Sequence, residues 1–309
     1  MRKLWIDSDC ASDDAMAMMM AFYHPDVEVI GISVVSGYRP ASVVRRNPFI
    51  IFEQARVAPV PVYSCGDGPL GFCRELPEVH VHGEDGLGDL GIAVPPDAKL
   101  EPEHSAAALL AAIRRWPKEL EIAALGPLTN LALAFRLDPT AAAQVKKLWI
   151  MGGTGKATGN ISPVAEANIG GDPEAAQIVF TSGVDFTLIP LEAAGGDMLY
   201  SPVDLERLAA CGPAGRFVVQ ASHNMVELAA ASGKPGLLQA DPAAMGIALW
   251  PELEASGIAA HCEVECKGEL TCGMVVEDTS GRKQNNCHVV HTMDGIAFKQ
   301  KVLALFQSR

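Results

Sequence analysis

No stretch of this 309-residue sequence approaches the roughly 20 consecutive apolar residues that a membrane-spanning helix needs. Positive charge is scarce as well: 24 Lys and Arg stand against 37 Asp and Glu, a formal net charge of −13. Such a surface repels phosphate backbones and anionic lipid, which argues against nucleic acid and membrane as partners. There is no G-x-x-x-x-G-K-[ST] phosphate loop. The close cysteine pairs of common zinc modules are missing too. Cys262, Cys266 and Cys272 do lie near His261 in "HCEVECKGELTC", but that stretch alternates as a strand does. The eight cysteines therefore read as small buried apolar side chains of an intracellular protein. The first residues enter a strand pattern at once, without the features of a signal peptide, which predicts a cytoplasmic location.

What is present is a large apolar fraction, 49% of the residues, enough for a substantial core. Strand-like runs are "RKLWID", "VEVIGISVV", "VPVY", "LEIAAL", "VKKLWIM" and "VDFTLIPL". Helical patterns fall between them at Asp13 to Tyr23, Ala41 to Gln54, Ser105 to Trp116, Leu128 to Arg136 and Pro173 to Phe180. This alternation predicts an α/β fold, a mostly parallel central sheet flanked by helices, with ligands gathered at the carboxyl ends of the strands. No repeat or linker interrupts residues 1–309, so a single domain is expected. "GDGPLGF" and "HVHGEDGLGDLG" read as loops over the sheet edge. The C-terminal third predicts a helix from Gly215 to Ala231, an antiparallel hairpin around "AHCEVECKG" and "CGMVVED", and a last helix from Gly295 to Phe306.

The stretch "LWIDSDCASDDAMAMMMAFYH" places Asp7, Asp9, Asp13 and Asp14 within eight positions, between a strand pattern and a helical one. Carboxylates at a helix start gain about 0.3–1 kcal/mol each from the helix dipole. That is reason enough for Asp13 and Asp14 but not for Asp7 and Asp9. Adjacent helical positions diverge by about 100°, so Asp13 and Asp14 face different partners, one of them a metal and the other a ligand. Hard oxygen donors without clustered His or Cys favour calcium or magnesium, and a metal-bound water beside a carboxylate is a ready nucleophile. A strand ending in D-x-D equally opens aspartyl phosphatases of the haloacid dehalogenase type, with Asp7 as nucleophile, Asp9 as acid and magnesium as cofactor. The local sequence leaves both open.

Further motifs follow. "DSDCASDDAMAM" resembles the D-x-D-P-G-x-D-D-A-x-A opening of the inosine-uridine-preferring nucleoside hydrolase family. "HVHGEDGLG" (His80 to Gly88), "LGPLTNLALAF" (Leu125 to Phe135), "IMGGTGKATGNISPVAEANIGGDPEAAQIVF" (Ile150 to Phe180) and "ADPAA" (Ala240 to Ala244) are similar to later family motifs, in the family's order and over nearly the whole chain. The resemblance implies a Rossmann-like nucleoside hydrolase fold, a homodimer or homotetramer, and a role in purine or pyrimidine salvage. It implies calcium-dependent hydrolysis of the N-glycosidic bond of a nucleoside or other N-riboside. Calcium would be held by Asp9, Asp14, Asp241 and the carbonyl of Leu125, with Asp9 as general base on a calcium-bound water. Asp13 would accept from the ribose 2′-hydroxyl, Asn168 and Asp241 would take the 3′-hydroxyl, and Asn160 with Glu166 the 5′-hydroxyl. Asp7 would support from behind, and His82 is assigned to the base pocket. An acidic site of this kind suits an uncharged nucleoside.

Some residues have structural readings. Asp172 before Pro173 reads as a helix N-cap, Trp5 and Trp149 as core, and Met16 to Met20 as helix packing. Departures from the family pattern concentrate on the base side. Ala240 stands where many members carry a His that protonates the leaving base, and others a Trp that stacks on a purine. Tyr38 replaces the usual Asn, and Cys10–Ala11 the usual P-G. His223, His82 and Trp250 are candidates for activating the leaving group. Because Ala240 can do neither task, a non-catalytic nucleoside- or ribose-binding protein is a third reading beside the hydrolase and the phosphatase.

Overall fold

A computed structural model describes residues 1–71, 81–234 and 236–309. Nine strands form one sheet: β1 (Arg2–Ser8), β2 (Val27–Val34), β3 (Val62–Ser64), β4 (Leu120–Ala124), β5 (Lys147–Met151), β6 (Phe186–Ile189), β7 (Glu254–Val264), β8 (Val275–Asp278) and β9 (Cys287–Met293). Their order is β3-β2-β1-β4-β5-β6-β9-β7-β8. All neighbours from β3 through β9 run parallel, and β7 and β8 close one margin as antiparallel strands. The fold is thus α/β with a mostly parallel sheet, as the alternating pattern predicts.

Among the described residues twelve α-helices accompany it: α1 (Ser12–Tyr23), α2 (Ala41–Val44), α3 (Asn47–Ala55), α4 (Ser105–Arg115), α5 (Thr129–Leu137), α6 (Ala167–Gly171), α7 (Pro173–Phe180), α8 (Pro202–Ala210), α9 (Pro213–Ala221), α10 (His223–Ala231), α11 (Ala240–Leu249) and α12 (Gly295–Gln307). Two expected helices are each two. The pattern from Ala41 to Gln54 breaks at Arg45–Arg46 because the ring of Pro48 would strike the carbonyl of Val44, four residues earlier. The pattern from Gly215 to Ala231 begins earlier, at Pro213, and breaks at buried Ser222, whose hydroxyl accepts from Gln239 Nε2 at 3.3 Å. Helix α11, absent from the sequence-based expectation, holds Pro242 in its first turn, where no N–H donor is needed.

Two apolar cores lie on the two faces of the sheet. Along β1 the side chains alternate: Leu4 and Ile6 enter the core shared with α1, α3, α9, α11 and α12, while Trp5 enters the other, shared with α4, α5 and α7. Met16, Met18, Met19 and Met20 are all fully buried, since α1 is covered all round by the sheet and by α9, α11 and α12. Trp5 is buried, stacked on Tyr63, while Trp149 is half-buried. At the amino end of the strands, the carboxylate of Glu121 accepts from Arg2, from Lys146 Nζ at 3.0 Å and from Trp149 Nε1 at 3.2 Å. Arg2 Nη2 also donates to the carbonyl of Ala248 at 2.7 Å, tying β1 to the end of α11. Burial opposes ionisation of Glu121, but the bonds from Arg2 and Lys146 prevail and hold its carboxyl below the usual range.

Glu121→Gln is expected to lower stability by about 1–3 kcal/mol in urea titrations at neutral pH, because Arg2 loses its charged acceptor. A group with a depressed folded pKa stabilises above its unfolded pKa, so the gap between the two proteins closes as pH falls through the folded value of Glu121. An equal gap at every pH would contradict this.

Candidate active site

The carboxyl end of β1 carries the site. Ser8 Oγ accepts the N–H of Cys10 at 2.8 Å and donates to Asp14 Oδ1 at 2.5 Å, while Asp14 Oδ2 accepts the N–H of Ala11 at 2.9 Å. These bonds shape a tight strand-to-helix turn, and Cys10 takes a left-handed φ of 54° within it. The carboxylate of Asp9 then projects over Gly37, where an added Cβ would lie 1.7 Å from its Oδ2. Gly126 is needed for the same reason, since its Cβ would come within 2.9 Å of the Asp9 nitrogen. The first turn of α11 brings Asp241 across from the far end of the sequence.

Asp13, Asp14 and Asp241 each offer an oxygen within 4.8 Å of the other two, and all three are buried. Among the described residues no other group of His, Cys, Asp or Glu side chains is gathered closely enough to share a cation. In particular Cys262, Cys266 and Cys272 do not. The Cys266 thiol points to the carbonyls of Pro173 and Val264, and His261 Nδ1 lies 2.7 Å from the carbonyl of Gln284. Asp9 stands beside this trio and receives the backbone N–H of Tyr38. Burial raises the carboxyls of Asp9, Asp14 and Asp241, and the neighbouring carboxylates push Asp14 and Asp241 up further. Carboxylate oxygens withdrawn from water and crowded together in this way match the needs of a hard divalent cation.

These acids open onto a cavity of about 700 Å³ at the carboxyl ends of the parallel strands. Asp9, Asp13, Leu125, Asn160, Glu166, Asn168, Asp241 and His82 all line it, together with Tyr38 and Ala240. Asp14 does not and lies behind them. Asn168 Nδ2 donates to the carbonyl of Leu125 at 3.0 Å and to that of Met151 at 3.2 Å, so one amide positions the β4 and β5 ends together. Glu166 caps α6, accepting from the N–H groups of Asn168 at 2.7 Å, Ile169 at 3.2 Å and Gly153 at 3.0 Å. Burial nevertheless pushes its carboxyl up to about 7. Asn160 Oδ1 accepts from the Ala167 N–H at 2.9 Å. His82 places Nδ1 at 2.7 Å from Ser12 Oγ and 3.6 Å from Asp13 Oδ1, with its ring 5.7 Å from that of Tyr38.

Two of the expected leaving-group residues lie elsewhere. His223 is exposed on α10 with Nδ1 at the carbonyl of Gln220, and Trp250 packs against His24 and beneath Lys301. Neither lines the cavity. His80 falls outside the described residues. Asp172 caps α7 through the Ala175 N–H at 3.1 Å, and also takes Leu70 N–H and Thr129 Oγ1. The apolar part of the lining is what the sequence did not reveal: Met225, Leu228 and Ala229 of α10, with Leu191, Leu237 and Leu238. Their only sequence signal was helical spacing in α10, a helix without one buried residue.

Asp7 does not reach the cavity. It is fully buried, its Oδ1 accepts from Ser33 Oγ and from Asn130 Nδ2 at 2.8 Å, and among the described residues no partner meets Oδ2. An enclosed carboxyl of this kind cannot attack phosphorus, which removes the nucleophile that a haloacid-dehalogenase-type reading requires. Burial outweighs both hydrogen bonds and pushes Asp7 up to about 7. A raised carboxyl stabilises the fold at low pH and loses that contribution as pH rises through about 7. Asp7→Asn should therefore gain thermal stability relative to the unsubstituted, metal-free protein between pH 5 and pH 9. A constant difference in melting temperature would refute it.

Comparisons with known proteins agree with this geometry. The sequence model described as inosine-uridine preferring nucleoside hydrolase matches residues 4–300. Uridine nucleosidase 1 of Arabidopsis thaliana is 42% identical over 212 residues, which cover 68% of this chain and 62% of that protein. The chain thus spans less than two thirds of that relative's length. The inosine-uridine preferring nucleoside hydrolase of Leishmania major is 32% identical over 292 residues, covering 93% of this chain and 90% of that protein. A solved plant nucleoside hydrolase superposes with a TM-score of 0.92 at 29% identity, over 100% of this chain and 99% of its own. The chain belongs to the inosine-uridine preferring nucleoside hydrolase family.

Proposed function

We propose that this protein hydrolyses the N-glycosidic bond of a ribonucleoside to ribose and free base, with calcium as its cofactor. The observation that carries the reading is the mixed lining of the cavity, where Asp9, Asp13, Asn168, Glu166 and Asp241 stand together with apolar side chains of α10 and the leucines before α11. Acids and amides suit a sugar with several hydroxyls, and apolar walls suit a flat base. The cation would be held by Asp14 and Asp241, by Asp9 or Asp13 beside them, and by the Leu125 carbonyl. When bound, it would polarise the attacking water and the 2′- and 3′-hydroxyls.

The protein's own residues do the rest. Asp9, next to the cation site and open to the cavity, takes a proton from the attacking water. The water oxygen bonds to the anomeric carbon as the bond to the base nitrogen breaks, and the base leaves with that electron pair. The oxocarbenium-like transition state is positive, and the carboxylates of Asp9, Asp13 and Asp241 stabilise it electrostatically. Asp13 accepts from the 2′-hydroxyl, Asn168 and Asp241 hold the 3′-hydroxyl, and Asn160 with Glu166 hold the 5′-hydroxyl. Ala240 offers the base nothing polar. Of the candidates for that task, His82 borders the cavity, and so does Tyr38, whose phenol is held protonated by burial and by Glu166 and Asp9. His82 directs Nδ1 to Ser12 and Asp13, which leaves Nε2 for the base.

Ribose release from uridine, inosine and other purine and pyrimidine nucleosides should stop on chelation and return with calcium. Asp9→Asn should lower kcat by about 10²–10⁴. Calcium should raise the melting temperature of the parent protein and not of Asp241→Asn. Folded, calcium-binding protein that releases no ribose from any nucleoside would overturn this reading and leave either another N-riboside as substrate or a sugar site without turnover.

A further inference from the structure

His291 lies outside every motif singled out in the sequence. It is buried on β9, next to β6 in the sheet. Its Nδ1 lies 3.1 Å from Oε2 of Glu192, a cavity-lining residue just past β6, and its Nε2 lies 4.0 Å from Oε2 of Glu277 on β8. A carboxylate can only accept, so Nδ1 carries a proton and donates. The same Glu192 Oε2 accepts the backbone N–H of Lys156 at 3.0 Å. Between them Gly155 has φ 58°, and a Cβ there would lie 2.4 Å from that oxygen, so the loop is pressed directly onto Glu192. Lys156 through Asn160 form part of the cavity wall, and Asn160 Oδ1 in turn holds the first N–H of α6, the helix that carries Asn168. A continuous line of contacts runs from β9 through Glu192 and the loop to the polar lining of the cavity.

We propose that His291 is a positioning residue: by holding Glu192 against Gly155 and Lys156, it fixes loop 154–160 so that Asn160 meets the 5′-hydroxyl of ribose. The proposal rests on the ribonucleoside reading for the ligand but not for the clamp. An apolar side chain would fill this buried position with less desolvation. An imidazole between two carboxylates instead orients the oxygen that the loop needs. Glu277, Glu192 and Lys156 are the charged groups around it, and Glu277 is raised by burial, which His291 partly offsets.

The test has two arms. In the first, amide exchange of residues 154–160 is compared between the parent protein, His291→Gln and His291→Ala. The expected result is about tenfold faster exchange in His291→Ala, with His291→Gln near the parent because its amide can still donate to Glu192. Unchanged exchange in folded His291→Ala overturns the clamp, whether or not the protein turns over nucleosides. In the second, KM and kcat are measured for uridine and 5′-deoxyuridine. The parent should discriminate by about tenfold in KM. In His291→Ala that ratio should fall toward one while kcat changes by less than about threefold. A ratio identical to the parent's overturns the link to the 5′-hydroxyl. Should His291→Ala fail to fold, Glu192→Ala removes the shared oxygen and must give the same two changes. Absence of turnover in the parent counts against the hydrolase reading, and the exchange arm still decides the clamp.

Discussion

Mutual repulsion among buried carboxylates is the constraint around which this molecule is arranged. Asp9, Asp13, Asp14 and Asp241 are all withdrawn from water, the last three with oxygens within 4.8 Å of one another, an arrangement that proteins avoid unless something positive is to be faced. The surroundings answer this one side chain at a time. Ser8 and the Ala11 N–H hold Asp14, and the missing side chains of Gly37 and Gly126 admit Asp9. The start of α1 places its N–H groups beside the acids, and the start of α11 does the same for Asp241. What stays unbalanced is the charge itself, and it faces the cavity.

Much of this was legible in the sequence, for identifiable physical reasons. Strands buried on both faces read as apolar runs, so the parallel sheet was visible in "LEIAAL" and "VKKLWIM". The pattern from Pro173 to Phe180 matched α7 because Asp172 and Pro173 mark its start unmistakably. Periodicity failed where a local event overrode it: Pro48 divided α2 from α3, and Ser222 divided α9 from α10, yet the apolar spacing continued across both breaks. Helix α11 was missed because "ADPAAMGIALW" is apolar on every side and so has no stripe to detect.

The same contrast divides the site. Part of its lining is built from acids and amides at strand ends and helix caps, positions where a polar residue demands an explanation. Asp9, Glu166 and Asn168 were therefore conspicuous. The apolar lining comes from Met225, Leu228, Ala229 and Leu238, ordinary residues for any helix or loop, and only their placement around the cavity distinguishes them. Sequence spacing could not rank His223, Trp250 and His82 either. The fold did so by turning the first outward and packing the second against His24.

The packing of α11 against α1 carries a further consequence for how the chain reaches this state. Asp14 and Asp241 belong to opposite ends of the sequence, and they meet only when those two helices dock. The β1, β2 and β4 strands can pair before that event without bringing Asp241 near the other acids. Loop closure over so long a separation is slow. The electrostatic cost of bringing Asp241 to Asp14 thus attaches to the docking of α11 on α1, and not to the pairing of β1 with β2 and β4.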